Sequence, residues 1–279
     1  MNRFSRSWEL IKASARVLAA DKELLIFPIV SSIASLIVTI SFAVPLLLTG
    51  GLNAVSQDRF PAIYYLVLFL FYIVQYFVIF FANTALVGAA TIRLKGGDPT
   101  VGDGFRIAFS HFGPILGYAA IAATVGMILR LISERSRGLG RLVISLIGFA
   151  WNVATFLVVP ILAVEGIGPI QAIQRSTALL KKTWGEQIIG NFGVGLIFGL
   201  ISFGLILLSL PFFYLLISSE MIWGAVALAA VLILLLVLVG LVQSTLNGIY
   251  TAAIYQYAID ERTGFFEEGM IRDAFVAKR

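Results

Sequence analysis

The sequence predicts an all-α fold: a polytopic membrane bundle of six transmembrane helices in three hairpin-like repeats, edged on the cytoplasmic side by amphipathic interfacial helices. Three observations carry the prediction. Six long stretches have no formal charge, amphipathic segments precede the first, third and fifth of them, and fifteen of the twenty Lys and Arg residues fall on one side of the expected crossings. The composition agrees. Of 279 residues, 59% are hydrophobic and 13% charged, with a mean hydropathy of +0.98. A soluble domain carries roughly 25% charged residues, so too little polar surface remains here to cover a globule in water. No proline- or serine-rich linker divides the chain, and residues 1–279 read as one integral membrane domain.

In chain order the charge-free runs are 24–49, 60–91, 112–129, 142–164, 187–219 and 221–259. Each is close to or above the ~20 residues a helix needs to cross hydrocarbon. They are continuous, unlike the ~10-residue alternating segments of a membrane β-barrel. The first outruns the ~7–15-residue apolar core of a signal peptide, and no small-residue cleavage site follows it, so it reads as an uncleaved anchor. The fifth and sixth exceed one perpendicular crossing, and tilt or extension absorbs the excess. Pro211 is expected to kink or end the fifth, and "LISSEMIW" to turn the last two into a tight hairpin.

Orientation follows from the basic residues. Arg3, Arg6, Lys12, Arg16, Lys22, Arg93, Lys95, Arg106, Arg175, Lys181, Lys182 and the four beyond Asp260 share one side; Arg59, Arg130, Arg135, Arg137 and Arg141 hold the other. Cytoplasmic loops carry the excess of Lys and Arg. Both termini are therefore expected in the cytoplasm, and the chain in the plasma (inner) membrane of a prokaryote. The four arginines at 130–141 run against the count.

In "SWELIKASARVLAADKELLIFP", Phe4, Trp8, Ile11, Ala15 and Leu18 form one helical stripe, with Arg6, Glu9, Lys12 and Arg16 away from it. Such a segment suits the bilayer interface, its apolar face in the acyl boundary and its bases near anionic headgroups. The same stripe also fits packing on another protein domain. Asp98 and Pro99 are expected to cap and start a second such helix, with Val101, Phe105, Ala108 and Phe112 as its stripe. A third carries Ile170, Ile173, Thr177, Leu180 and Trp184, with Gln171, Gln174, Arg175, Lys181 and Lys182 facing away. Trp8, Arg16, Lys181, Lys182 and Trp184 are the expected lipid-interface contacts. Three units follow, each an interfacial helix plus a hairpin. In the even spans Asn83, Asn152 and Asn247 each precede an acid (Asp98, Glu165, Asp260) by thirteen to fifteen residues.

"SWELIKASARVLAADKELLIFP", "GGDPTVGDGF" and "EGIGPIQAIQRSTALLKKTWGE" resemble a family of uncharacterised prokaryotic six-span membrane proteins, over about residues 3–262. More distantly, the layout is similar to the membrane domain attached to some glycerophosphodiester phosphodiesterases, whose hydrolase domain has no counterpart here. The resemblance implies fold and location, and no functional residues.

Several chemistries are excluded or disfavoured. With no cysteine and one histidine, thiolate chemistry is absent and a transition-metal site is not expected. No P-loop, zinc-protease, nucleophile-elbow or dinucleotide motif occurs, so neither enzyme activity nor a cofactor is expected. "GGDPT" and "GDG" superficially resemble intramembrane-protease motifs, but Asp98 and Asp103 sit in a loop without a second intramembrane aspartate. No ionisable group lies at mid-span, which argues against proton-coupled transport and voltage sensing. Glu165 and Asp260 read as hydrated helix ends, or as groups turned toward the bundle interior. His111 reads as a headgroup-level polar residue, or as a pH switch.

The amides Gln75, Asn83, Asn152, Asn191, Gln243 and Asn247 must face protein or water. They read as interhelical hydrogen bonds or, for Asn83, Asn152, Asn247, Gln243 and Asn191, as a convergent polar cluster. Asn191, Gly195, Gly199 and Ser202 share a small-residue stripe, read first as an internal helix contact and second as a dimer seam. The expected role is that of a non-catalytic protein that organises the membrane or joins a membrane partner or a second copy. The alternative is a small transporter or channel for a lipid-like or apolar solute. A cavity reaching the amides favours the alternative, and a filled interior the first. The bilayer, with anionic headgroups on the cytoplasmic leaflet, is the expected partner. Nucleic acid is not, because the +5 charge reports orientation.

Overall fold

The computed structural model describes residues 12, 14–48, 62–183 and 193–260. Among the described residues every regular element is helical. Helix α1, residues 14–20, leads through a 3₁₀ turn, Lys22–Leu25, into α2, Ile26–Leu48. Helix α3, Ala62–Leu94, is followed by a short α4, Val101–Ser110, and by α5, Phe112–Arg135. The fourth crossing has two pieces, α6, Leu139–Ala154, and α7, Val158–Glu165. Then come α8, Pro169–Thr183, α9, Gly193–Ser218, and α10, Ile222–Asp260. Six stretches are long and apolar enough to cross a membrane, the fourth being Leu139–Glu165 across its break.

The helices depart from the charge-free runs where local chemistry overrules hydropathy. Helix α5 continues to Arg135 because Arg130 and Glu134, one turn apart, pair at 2.9 Å and carry charge along the helix surface. Helix α9 passes through Pro211 and ends at Ser218; membrane helices tolerate proline when neighbouring groups meet the freed backbone. The fourth run, expected as one helix over 142–164, is interrupted at 155–157. Pro160 has no N–H for the Phe156 carbonyl, and its ring crowds that carbonyl. The Phe156 N–H turns to the Val153 carbonyl at 3.2 Å, and the displaced Leu157 N–H donates to Ser176 Oγ of α8 at 3.1 Å. Both residues are fully buried, so a side chain from another helix holds the break.

Helix α4 starts two residues later than the Asp98–Pro99 expectation. Thr100 is its N-cap, accepting from the Asp103 N–H at 3.2 Å, while Asp103 Oδ2 accepts from the Thr100 N–H at 3.0 Å. The hydroxyl of Thr100 also donates to Asp103. These bonds, led by the Thr100 hydroxyl, hold the Asp103 carboxyl below its ordinary range. Their contribution is complete at neutral pH and fades as pH falls through that depressed value. Asp98 instead pairs with Arg93.

Helix α3 is the hub, touching α2, α4, α5, α7 and α10, whereas α9 packs chiefly on α10. The core gathers at the end of the bundle that holds Asp21, Arg93, Glu165 and Asp260. Leu24, Phe27, Leu86, Ile115, Leu157, Ile161, Ile249 and Tyr255 are fully buried there. Alanines 85, 89 and 90 of α3, 119 and 123 of α5, and 252 and 253 of α10 let the helices approach closely. Toward the other end Leu36, Leu70, Ile132, Leu146, Leu208 and Leu234 are exposed, an apolar surface that hydrocarbon would cover.

The short helices pack much of their apolar faces on the bundle, while Phe109, Phe112 and Ile170 stay exposed. Val101, Phe105 and Ala108 of α4 and Ile173 and Leu180 of α8 belong to or lie against the core. Gln171, Gln174 and Arg175 face outward, and the buried face of α8 centres on Ala172, Ser176 and Leu179. In α1 the buried residues are Ser14 and Val17, and Ala15 of the expected stripe is exposed. Hydrophobic spacing marks an apolar face without saying whether lipid or protein covers it. Phe4, Trp8, Ile11 and Trp184 lie outside the described residues.

Candidate functional site

Helix α10 approaches α3 closely at Gly248, where an added Cβ would lie 2.3 Å from Leu86 Cδ2. Beside that contact, Gly240, Gln243, Ser244, Asn247 and Thr251 follow at helical spacing and bring no large apolar side chain. Opposite them stand Asn83 and Val87 of α3, with Phe156 and Val159 from the broken fourth crossing. The walls enclose an open cleft of about 440 Å³, within the roughly 300–1,000 Å³ of ligand sites. Gly240 is near the middle of the Ile222–Gln256 span, and Thr251 lies ~16 Å further along the axis. The cleft thus runs from mid-span depth toward the end that holds Asp260.

The break in the fourth crossing shapes one wall. It puts Phe156 at the turn and Val159 in the first turn of α7, both facing α10. Non-helical backbone at membrane depth is tolerated where it is buried in protein or lines a cavity, and here it does both.

Among the described residues no charged side chain lines the cleft. Asn83 and Gln243 are half-buried and Asn247 is exposed. Their amides make no side-chain hydrogen bond to another described residue. The Thr251 hydroxyl is engaged by its own helix, donating to the Asn247 carbonyl at 2.7 Å. Each free amide offers two donors and an acceptor, so the cleft presents neutral hydrogen-bonding capacity in both senses. An anion there would meet no cation and bear the cost of burial in hydrocarbon.

Toward the basic end, Glu165 Oε1 accepts from Tyr255 Oη at 3.0 Å and Arg175 Nε at 3.3 Å, tying α7, α8 and α10 together. Its carboxylate, 23% exposed, is committed to this junction. His111 caps α4, with Nδ1 2.9 Å from the Ile107 carbonyl.

Of the amides expected to converge, the structure brings Asn83, Gln243 and Asn247 together. Asn152 stands apart: it is exposed on α6, which packs on α5 and α8, and the 155–157 turn breaks the helical phase that would have aimed it inward. Asn191 lies outside the described residues. Gln75 is elsewhere, its Oε1 buried without a hydrogen bond among the described residues. A Cβ added at Gly195 or Gly199 would meet nothing within 4 Å among the described residues, so the expected internal contact is not made among them. Arg16 is exposed on α1. Lys181 and Lys182 belong to the last turn of α8, and their side chains lie outside the described set. Gly240, Ser244, Gly248 and Thr251 were not anticipated, although their spacing along α10 with Gln243 and Asn247 is a small-and-polar stripe readable in the sequence.

The chain belongs to a family of unknown function, DUF6159, whose model matches residues 62–265. That region contains the whole cleft. No curated protein and no solved structure matches the chain.

Proposed function

We propose that this member of a family without an assigned role is a non-catalytic membrane protein that binds a lipid-like solute with a neutral polar head in the cleft between α3, α7 and α10, and carries it across part of the bilayer. One observation supports this reading above the others. Three amides without a side-chain hydrogen bond among the described residues share a cavity at membrane depth that none of those residues lines with charge. A head bearing hydroxyl, ester or amide groups satisfies them, and acyl chains leave through the open side into lipid. Phosphate or carboxylate heads are disfavoured there for want of a counter-charge.

In the cell we place the basic end in the cytoplasm of a prokaryotic plasma membrane, on the fifteen-to-five division of Lys and Arg. The cleft then opens on the inner half of the bilayer. A second reading, a membrane subunit or homo-oligomer, draws support from α9, which packs chiefly on α10 and leaves Leu200, Phe203 and Leu207 exposed.

Native mass spectrometry of the full-length protein in phosphatidylcholine nanodiscs doped with diacylglycerol tests the proposal. The wild type is expected to retain diacylglycerol. The Gln243→Leu, Asn247→Leu double variant is expected to lose about tenfold in retention, since two hydrogen bonds at ~0.6–1 kcal/mol each approach one decade of affinity. Equal retention by the two proteins contradicts cleft binding. A dimeric mass that survives lipid removal favours the second reading.

A further inference from the structure

A second crevice opens near the far ends of α2 and α3, away from the amide cleft. It holds about 300 Å³ between Phe42, Ala43 and Leu46 of α2 and Val67, Leu68 and Phe71 of α3. The rings of Phe42 and Phe71 meet edge to face at 5.5 Å across it. Thr39 also lines it, but its hydroxyl donates to the Ser35 carbonyl of its own helix at 2.8 Å. Tyr64 brings a second hydroxyl to the lining; the walls are otherwise apolar, and among the described residues the one charged member is Arg130 of α5.

Two bonds hold that guanidinium in place. Nη1 donates to Tyr72 Oη at 2.6 Å and Nε to Glu134 Oε1 at 2.9 Å. Nη2 has no partner among the described residues, and the side chain is 54% exposed. Arg130 lies eighteen residues along α5 from Phe112, ~27 Å by helical rise, close to the ~30 Å hydrocarbon thickness. It therefore sits at headgroup level opposite the basic end. Arg135, Arg137 and Arg141 follow, against Glu134 as the single acid of that stretch. This is the cluster that runs against the positive-inside count.

We propose that this crevice is a binding site for an anionic phospholipid, one acyl chain lying in the slot against Ala43, Leu46 and Leu68, over the Phe42–Phe71 ring pair, and the phosphate on Arg130. A guanidinium offers paired donors matched to phosphate oxygens, and the neighbouring arginines add a favourable field. An apolar slot ending at a fixed cation fits a chain joined to an anion. A zwitterionic lipid brings its own cation against the arginine cluster. The site is separate from the amide cleft in position and in the charge it selects.

The test uses the full-length protein in nanodiscs with equal phosphatidylglycerol and phosphatidylcholine of matched chains, read by native mass spectrometry, with oleate added in a separate arm. The wild type is expected to retain phosphatidylglycerol over phosphatidylcholine by about fivefold, and Arg130→Gln to abolish the preference. Ala43→Phe, which fills the slot and keeps the arginine, is expected to abolish it too, and it decides the matter alone if Arg130→Gln does not fold. The Gln243→Leu, Asn247→Leu variant is expected to keep the preference, which separates this site from the cleft. Equal retention of the two phospholipids, preference for oleate over phosphatidylglycerol, or an unchanged preference in Ala43→Phe overturns the proposal.

Discussion

Arg93→Leu is expected to destabilise the protein by about 3 kcal/mol, the largest single-site effect anticipated. Arg93 Nη2 lies 3.3 Å from Asp21 Oδ2, with the two side chains 18% and 4% exposed. This pair ties the entry of α2 to the end of α3, and Asp98 approaches the same guanidinium from outside. Removing one partner of a buried pair leaves an uncompensated charge, at a cost of roughly 3–5 kcal/mol. The partial exposure of Arg93 places the effect at the lower end. Replacing both members by leucine removes the stranded charge, and among Val17, Leu24 and Leu94 it is expected to recover most of the loss. Unfolding in mixed micelles across wild type, Arg93→Leu and Asp21→Leu/Arg93→Leu checks this. A double variant no more stable than Arg93→Leu would show that the stranded charge is not the cause.

Gly104→Val is expected to be nearly as damaging, by about 3 kcal/mol, and Gly104→Ala by about 1–3 kcal/mol. A Cβ at this position would lie 2.4 Å from Phe27 Cζ and 2.7 Å from the Ala85 carbonyl oxygen. Phe27 is 1% exposed and stacks edge to face on Phe105 at 5.3 Å, so it has little room to yield. The Ala85 carbonyl is hub-helix backbone and cannot yield at all. Helix α4 would have to lift off α3, opening the core beside it. Gly199→Ala, where nothing lies within 4 Å among the described residues, is expected to be neutral or slightly stabilising, because alanine favours the helix. Thermal unfolding of the three variants in one detergent distinguishes the cases. A Gly104→Ala protein as stable as Gly199→Ala would mean that α4 is not seated as described.

The amides show what one sequence carries and what it hides. Asn83, Gln243 and Asn247 stand out because uncharged polar groups are rare within long apolar runs, and hydropathy alone flags them. That they share one cavity depends on Gly248, which brings α10 onto Leu86, and no periodicity contains that pairing. Asn152 failed for the opposite reason. Its spacing from Glu165 matches the other two, but the break behind Pro160 intervenes. Pro211 looks equally disruptive in sequence and sits in an unbroken helix. At the break Ser176 takes the freed Leu157 N–H from another helix, so proline and partner act together there. Likewise α1 and the residue after it turn Ser14, Val17 and Asp21 inward, with Asp21 reaching Arg93. A buried acid has no place in a hydrophobic stripe, so the stripe reading missed that face. The six crossings were legible because absence of charge over twenty residues has one cheap solution in lipid.

Cysteine accessibility tests most directly whether the α10 stripe lines a polar cleft inside the bilayer. The chain has no cysteine, so single substitutions report without further change. In proteoliposomes, Asn247→Cys is expected to react with a charged, membrane-impermeant thiol reagent offered to the basic face, and to be shielded by added diacylglycerol. Leu238→Cys, on an exposed apolar face of the same helix, is expected to stay unmodified. Silence at 247, or equal reaction at both positions, would contradict the cleft and the function built on it.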